Sequence, residues 1–419
     1  MRRRGFLGAA AANALLPAQI LRGHASAPRV TVIGGGFAGA SCARAVKKAD
    51  PRIAVTLVEA NPVFHACPMS NAVIAGLREM DRQRFTYEAV RADGVTLAPL
   101  TATGVDPRLR SVSLSDGTQL AYDRLVLAPG IDIRWDALPG YDEAAAQQMP
   151  HAWQAGPQTL LLRRQLQAMD DGGLVAITAP VGPSRCPPGP YERASLIAHY
   201  LKAHKPRSKL IVLDAKDSFP KQRLFLTAWN ELYPGLIEWV PLSRGGAVVS
   251  VEPATRTLVT DFERYRASVA NVIAPQKAGQ IASVCGVTDR SGWCPINPVT
   301  FESKLQSNIH VIGDAAITGA MPKSAFGAHD EARCCAAAIV ALLAGRPPSS
   351  PTLSNACYSL VAPDYGISEA GVYRPKGDEF EELPASDSPS SADEPRAARA
   401  RDARQAEAGF RTLTSGVFH

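Results

Sequence analysis

The stretch Val30–Gly39 reads VTVIGGGFAG and largely decides the fold of this chain. Its first four residues are apolar or β-branched and predict a buried strand, and the residues after it predict a helix. In such a glycine fingerprint, Gly34 makes the tight turn, Gly36 lets the backbone approach a pyrophosphate, and Gly39 permits close helix–strand packing. The next predicted strand ends at Glu59, which is placed to hydrogen-bond ribose hydroxyls. The pattern predicts a dinucleotide-binding βαβ unit.

Later motifs predict that the dinucleotide is FAD. A strand at Leu125–Ala128 runs into a Pro-Gly turn, as in two-dinucleotide flavoproteins, and the stretch His310–Asp314 reads HVIGD. That stretch resembles the second FAD motif of the same superfamily. Gly313 and Asp314 match the Gly-Asp pair of that motif, whose acid bonds the ribityl chain. After a further strand, where an NAD(P)H domain has its phosphate loop, residues 178–190 read TAPVGPSRCPPGP. Prolines lack the N–H donors that cradle a pyrophosphate, so nicotinamide is disfavoured as the electron donor.

These motifs predict an α/β fold with two Rossmann-like domains, arranged as in glutathione reductase, and a C-terminal α+β interface domain. We expect a discontinuous FAD domain at residues 28–150 and 285–345, a second domain at 151–284, and a C-terminal domain at 346–419. From about residue 376 to 404 the chain is rich in Asp, Glu, Ser, Pro, Ala and Arg and nearly lacks large apolar residues. This composition predicts a disordered or loosely attached extension.

The first 27 residues predict a signal for export. The motif Arg3-Arg4-Gly5-Phe6-Leu7 is a twin-arginine signature, an apolar stretch continues to about Leu21, and Ala25-Ser26-Ala27 offers a cleavage site. An uncleaved anchor is the alternative, because the apolar run approaches a membrane span in length. Its alanine-rich, weakly hydrophobic character favours the signal. We therefore expect a mature chain in the periplasm without a transmembrane span.

Charge and cysteine content exclude several classes of function. The formal net charge of +6 falls close to +2 once the four arginines of the signal segment are left out. With no basic stretch interleaved with aromatic residues, nucleic-acid binding is not indicated. The eight cysteines form no C-x-x-C, which argues against a zinc site, and no C-x-x-C-H, which argues against a covalently bound haem. Electrons that leave a flavin must therefore pass to another molecule.

Several segments resemble the flavoprotein subunit of flavocytochrome c sulfide dehydrogenase, over roughly Val30 to Pro375. The most unusual is RCPPGPYERAS, which begins at Arg185. The others are CPMSN from Cys67, PHAW from Pro150, GWCP from Gly292, MPKS from Met321, CYSL from Cys357 and YGIS from Tyr365.

The resemblance implies a redox-active disulfide between Cys186 and Cys357 beside the flavin, and a thioether from Cys67 to the flavin. Hydrosulfide can attack a disulfide sulfur to give a persulfide and a thiolate, and a flavin accepts two electrons. Glu192 resembles a family carboxylate near the disulfide, and a carboxylate in a partly dry pocket could move the proton of hydrosulfide. Lys323 would place positive charge near the pyrimidine end of the flavin. Without the resemblance, each of the two cysteines is a small buried residue.

Some of these roles have alternatives in the sequence itself. His65 could carry the flavin, because the residues before Cys67 depart from the family pattern. Glu192 could be an acid favoured by a helix N-terminus, and Lys323 could be an ordinary exposed lysine. Cys294 matches the family without an assigned role.

The implied activity is oxidation of sulfide, with FAD as cofactor and a c-type cytochrome subunit as partner. One alternative is a membrane-bound sulfide:quinone oxidoreductase, although the charged C-terminal extension lacks the amphipathic surface used to reach quinone. A second is the flavoprotein partner of the thiosulfate-oxidising system, acting as a thiol–disulfide reactivator. A third is a non-catalytic FAD-bound subunit that docks a cytochrome.

Overall fold

The computed structural model of the protein describes residues 27–384, 390–391 and 393–419. The predicted export signal lies outside these residues, apart from Ala27. In the described ranges, the α-helices are Phe37–Ala49, Ser70–Ile74, Glu88–Ala92, Pro157–Ala168, Gly189–His204, Gln222–Leu232, Gln280–Val284, Ala325–Leu343 and Arg396–Phe418.

The fingerprint strand lies at the centre of a five-stranded parallel sheet, the first sheet. Its strands are, in spatial order, Ile309–Val311, Arg124–Leu127, Arg29–Ile33, Ala54–Val58 and Thr96–Ala98. The strand at one edge comes from a part of the chain far beyond the other four. It pairs with its neighbour from Ile309 opposite Leu125 to Val311 opposite Leu127. This pairing brings the HVIGD motif beside the glycine fingerprint.

A second parallel sheet has four strands. In sequence, they come after the first four strands of the first sheet and before its last strand. Its strands are, in spatial order, Ile237–Val240, Lys209–Asp214, Leu174–Ala179 and Val269–Asn271. Parallel sheets are buried on both faces, and their strands here are accordingly rich in Val, Ile and Leu. The proline-rich loop leaves the carboxyl end of Leu174–Ala179, the edge at which open α/β sheets bind ligands.

Antiparallel strands complete the fold. The C-terminal sheet consists of Leu353–Ala362, Tyr365–Lys376 and Glu379–Glu382. Two further sheets have three strands each. One consists of Ala102–Asp106, Ser111–Leu114 and Gln119–Ala121, and the other of Val248–Glu252, Thr257–Thr260 and Arg264–Arg266. Two antiparallel strand pairs are Phe64–His65 with Arg84–Phe85 and Ile131–Ile133 with Gln276–Ala278. A further pair, Cys294–Pro295 with Ala316–Ile317, is parallel.

The C-terminal sheet packs against helices of both other domains. Strand Leu353–Ala362 contacts helix Gly189–His204 of the second domain and helix Ala325–Leu343 of the first. Parallel sheets flanked by helices and a C-terminal α+β part confirm the predicted fold class. No helix within residues 27–384 and 393–419 is both long and apolar enough to span a bilayer.

The prediction of disorder in the C-terminal extension is wrong for its described residues. Residues Glu379–Glu382 form a strand and Arg396–Phe418 form a helix whose Phe410 and Phe418 are buried. The Phe418 ring stacks at 5.1 Å from the ring of Phe64. The composition misled the prediction because the aromatic anchors follow the charged stretch. Burial of those rings supplies the free energy that the stretch itself lacks.

Candidate active site

A cavity of about 810 Å³ lies where the two parallel sheets meet the C-terminal domain. Its walls bring together residues that are far apart in sequence. The predicted site residues that line it are Gly34, Gly36, Glu59, Cys67, Cys186, Glu192, Gly313, Asp314 and Cys357. Two predicted residues, Gly39 and Lys323, are not among the lining residues.

The glycine fingerprint forms one end of the cavity. Gly34 has φ +102°, and a Cβ there would lie 2.3 Å from the carbonyl oxygen of Ala128. A Cβ on Gly39 would lie 1.8 Å from the carbonyl oxygen of Gly34, so the helix can approach the strand only without a side chain. Gly36 directly precedes helix Phe37–Ala49, and a Cβ there would meet only a ring at 3.5 Å. The helix N-terminus therefore faces open space suited to a pyrophosphate.

Two carboxylates fit the remaining parts of FAD. Glu59 accepts hydrogen bonds from the backbone N–H of Gly35 at 2.8 Å and of Asn61 at 2.8 Å, which fixes it at the end of its strand. The Oδ1 atom of Asp314 is buried and has no hydrogen-bond partner among the described residues, and burial raises the pKa of this carboxyl group. An acceptor left unpaired in a cavity wall suits a hydroxyl donor such as the ribityl chain. These residues fit FAD.

A buried acid that the sequence did not reveal holds the HVIGD turn. Glu331 accepts a hydrogen bond from the backbone N–H of Gly313 at 2.6 Å. Gly313 has φ +72°, a conformation that favours glycine. Burial raises the pKa of Glu331 to about 8. This contact keeps the Gly-Asp turn, and with it Asp314, at the cavity.

The segment that carries Cys67 is held rigidly beside the cavity. The backbone N–H of Ala66 donates to the backbone carbonyl of Gln83 at 2.8 Å. The side-chain amide of Gln83 donates in turn to the Ala66 carbonyl at 2.7 Å. The Cys67 Sγ lies 3.9 Å from the carbonyl oxygen of Trp153. His65 also lines the cavity, and burial lowers the pKa of its imidazole. Both predicted attachment residues therefore face the same space.

Cys186 and Cys357 meet at the cavity wall although distant segments carry them. The proline-rich loop carries Cys186, whose backbone N–H donates to the carbonyl of Lys323 at 2.9 Å. Strand Leu353–Ala362 carries Cys357. Both are free cysteines that line the same cavity, and each thiol shifts the pKa of the other. The structure thus places together the two thiols that the resemblance pairs.

Lys221, which sequence reasoning missed, contacts the second of these cysteines. Its ammonium lies 3.5 Å from the Cys357 Sγ and donates to the Cys357 carbonyl at 3.0 Å and to the Ser359 hydroxyl at 2.9 Å. The hydrogen bond from Cys186, together with the Lys221 charge, lowers the pKa of Cys357 to about 6 against the opposing effect of burial. The same hydrogen bond and burial raise the pKa of Cys186. No motif surrounds Lys221, so only the fold reveals its position.

Glu192 lies close to the cysteine pair in the first turn of helix Gly189–His204. It is buried, and it accepts a hydrogen bond from the backbone N–H of Leu360 at 3.4 Å. Burial, and next the negative charge of Cys357, raise the pKa of Glu192 to about 7. A carboxyl group with such a pKa can take or give a proton near neutral pH. Its position in the first turn also fits the alternative that Glu192 is an acid favoured by the helix N-terminus.

Glu192→Gln tests this pKa through stability. The folded protein holds a proton on Glu192 that the unfolded chain releases above its ordinary pKa of 4.5, so stability is expected to fall as pH rises from 4.5 towards 7. The total loss is roughly 3 kcal/mol. In urea unfolding, we compare the free energy of unfolding of the variant with that of the wild type at two pH values. The variant's advantage should be larger at pH 8 than at pH 4.5 by about this amount. The exposed Glu238→Gln is the control, and a pH-independent difference for Glu192→Gln would contradict the assignment.

A second missed residue, Arg193, ties the site together. Its guanidinium is fully buried, and burial lowers its pKa to about 10. The group also lies 5.0 Å from the centre of the Trp153 ring. Its hydrogen-bond acceptors are Asn71 Oδ1 at 2.9 Å, His151 O at 2.9 Å, Asn271 Oδ1 at 3.0 Å and Ala152 O at 2.6 Å. Arg193 thereby joins the Cys67 segment to the second sheet.

The charge of Lys323 acts on the buried Asp314 carboxyl, although Lys323 is not among the residues that line the cavity, and its place beside a bound flavin stays a prediction. Its ammonium donates to the carbonyl of Ala316 at 2.5 Å and lies 4.4 Å from the centre of the Trp293 ring, outside the cavity lining. Nor is it an ordinary exposed lysine, because its burial lowers its pKa. Its backbone carbonyl instead anchors Cys186. Cys294 is buried nearby, and burial raises its pKa to about 12.

Comparisons with known families match the chain in three consecutive parts. The pyridine nucleotide-disulphide oxidoreductase model matches residues 28–157. The model for the central part of the sulfide dehydrogenase (flavocytochrome c) flavoprotein chain matches 159–274, and the flavin-binding model of flavocytochrome c sulphide dehydrogenase matches 349–418. The curated flavoprotein chain of this enzyme from Chlorobaculum thiosulfatiphilum is 60% identical over 45 residues, which are 94% of that sequence and 11% of this chain.

This chain belongs to the family of flavocytochrome c sulfide dehydrogenase flavoproteins. The membership confirms the resemblance inferred from the sequence and makes the chain an FAD-dependent oxidoreductase. It agrees with the geometry, since the flavin-binding model covers the strand of Cys357 and the C-terminal helix that closes the cavity.

More distant relatives share the fold. The sulfide:quinone oxidoreductase from Aquifex aeolicus superposes with a TM-score of 0.72 at 19% identity, over 94% of this chain and 92% of that one. The NAD-dependent persulfide reductase from A. fulgidus gives a TM-score of 0.62 at 19% identity, over 82% of this chain and 64% of that one. The mitochondrial sulfide:quinone oxidoreductase of Dictyostelium discoideum is 22% identical over 43% of this chain and 40% of its own length.

Proposed function

We propose that this protein oxidises sulfide through a disulfide between Cys186 and Cys357, and that its electrons pass through FAD to a c-type cytochrome subunit in the periplasm. The observation that carries the proposal is the meeting of the two thiols on the wall of the cavity that the FAD fingerprint also lines. The cavity brings together two cysteines that can form a disulfide, a buried acid and a cofactor-binding end.

The sulfur chemistry balances with the groups at hand. Hydrosulfide attacks one sulfur of the disulfide, a new S–S bond forms, the Cys186–Cys357 bond breaks, and its electron pair leaves on the other sulfur as a thiolate. A second hydrosulfide can remove the outer sulfur of the persulfide, leaving one thiol and one thiolate. Glu192, protonated or ionised near neutral pH, holds or gives the proton in these steps. FAD, when bound, takes the two electrons released as the disulfide closes again.

A cytochrome acceptor and a periplasmic location complete the proposal. The curated relative is the flavoprotein chain of a flavocytochrome c, and the present sequence has no C-x-x-C-H motif of its own. Haem would therefore have to come from a separate subunit. The twin-arginine motif at Arg3-Arg4 supports export after folding, which suits a chain that takes up its cofactor first.

Anaerobic titration with sulfide tests this function. We expect sulfide to bleach the flavin absorbance stoichiometrically, with NADH as the control that leaves it unchanged. A c-type cytochrome added afterwards should restore the absorbance and become reduced. If the flavin stayed oxidised in excess sulfide, sulfide oxidation would be excluded. If a soluble quinone restored the absorbance and cytochromes did not, the quinone-linked alternative would replace the cytochrome proposal.

A further inference from the structure

The two cysteines of the pair differ in the charges around them. Cys357 is contacted by the Lys221 ammonium and by the Cys186 thiol. Acidic or phenolic groups that also act on Cys357 are Glu192, Glu369 and Tyr373. Only the lysine is cationic among these, and it lies within direct contact distance of the sulfur. A negative charge on Cys357 is therefore stabilised at short range.

Lys221 is held firmly in this position. Its backbone adopts the left-handed conformation, with φ +62°, directly before helix Gln222–Leu232. Its ammonium donates to two oxygen atoms besides the sulfur, one on Cys357 and one on Ser359. An ammonium carries three N–H donors, so these three acceptors satisfy it completely. The charge is thus fixed at the Cys357 end of the pair.

Cys186 has no comparable donor although it lies just before a helix. The backbone N–H of Gly189 donates to the Cys186 carbonyl, and Pro190 has no N–H. The next two N–H groups of the helix donate to the carbonyl of Pro188. Four of the five N–H donors of Arg193 are likewise taken up by oxygen atoms. Arg193 and Lys221 act on Cys186 through their charge, but neither donates a hydrogen bond to its sulfur as Lys221 does to Cys357.

We propose that Lys221 is a positioning residue that makes Cys357 the leaving thiolate, so that hydrosulfide joins the Cys186 sulfur. The inference rests on the proposed function. The bond between Cys186 and Cys357 breaks, a bond between the substrate sulfur and Cys186 forms, and the electron pair stays on Cys357 beside the ammonium. The hydrosulfide proton remains on the persulfide or passes to Glu192. The better-stabilised thiolate leaves faster, which fixes the direction of attack.

Alkylation of the reduced protein tests the charge assignment without any turnover. Wild type, Lys221→Met, Lys221→Arg and the control Lys209→Met are reduced and freed of reductant under anaerobic conditions. They are then treated with iodoacetamide across a pH series and mapped by mass spectrometry. We expect the half-maximal pH of Cys357 alkylation to rise by about one unit in Lys221→Met. Arginine should restore the wild-type value, and the exposed Lys209 should not matter. An unchanged profile in Lys221→Met with normal flavin content would overturn the inference.

Persulfide trapping tests the direction of attack. The oxidised protein is mixed with sulfide for a short time, alkylated and digested, and the peptides are searched for one additional sulfur atom. We expect that atom on the Cys186 peptide. Its presence on the Cys357 peptide would overturn the inference while leaving sulfide oxidation intact. Its absence from both peptides would overturn the inference and the proposed function together, and the alkylation profile would still report the role of Lys221 in charge placement.

Discussion

Replacing Cys186 or Cys357 with serine is expected to abolish the reduction of the flavin by sulfide, with a loss in rate of about a thousandfold or more. A serine cannot form the disulfide that hydrosulfide must open, and it cannot carry the substrate sulfur as a persulfide. Among the described residues, the one other cysteine that lines the cavity is Cys67. Stopped-flow mixing with sulfide, monitored at the flavin absorbance, measures the effect.

The control is Cys334→Ala, which changes a half-buried cysteine on helix Ala325–Leu343 outside the cavity. It should react with sulfide at the wild-type rate. The serine variants should keep their flavin and their unfolding temperature, because the sulfur-to-oxygen change is small and the fingerprint residues are untouched. A serine variant that still reacts at the wild-type rate would show that sulfide does not use this pair. The reading as an electron-transfer subunit would then be favoured.

Replacing Cys67 with serine is expected to turn a permanently attached flavin into one that denaturation releases. We propose a thioether at Cys67 because Cys67 lines the cavity on a segment that the Gln83 amide holds on both sides, at the carbonyls of Ala66 and Pro68. The glycine fingerprint, Glu59 and Asp314 remain in the variant, so the folded protein should still bind FAD without the covalent bond. Acid precipitation should leave the yellow colour in the wild-type pellet and move it to the supernatant for the variant.

His65→Ala is the matched variant for this experiment, because His65 lines the same cavity. It should keep the flavin in the pellet. Loss of attachment in His65→Ala with retention in Cys67→Ser would assign the bond to the histidine instead. Flavin in the supernatant for the wild type would show that no covalent bond exists. Mass spectrometry of the digested wild type identifies the modified peptide directly.

Local features of the site could be predicted because they depend on neighbours in the chain. The strand, glycine turn and helix at Val30–Gly39 follow from a run of apolar and β-branched residues and from the need for residues without a Cβ. The structure shows the same need in distances, since a Cβ on Gly39 would overlap the Gly34 carbonyl. The Gly-Asp turn after His310–Ile312 was predictable for the same reason. The pairing of Cys186 with Cys357 came from the family resemblance and not from spacing.

Tertiary structure alone decided which charges act on those residues. Lys221 and Glu331 have no recognisable motif, yet each lies against a site residue because of how the domains pack. The Lys323 ammonium lies over the Trp293 ring for the same reason. Arg193 belongs to the segment RCPPGPYERAS, but the sequence did not indicate that its side chain would bond Asn71 and Asn271.

The glycine fingerprint by itself determined that this chain binds a dinucleotide, because backbone turns and helix starts depend on a few adjacent residues. Only the tertiary structure decided that a lysine donates a hydrogen bond to the sulfur of Cys357. It also decided that the charged C-terminal stretch ends in a helix closing the cavity. Contacts between distant segments depend on the summed packing of whole domains, which residue composition and spacing do not encode position by position.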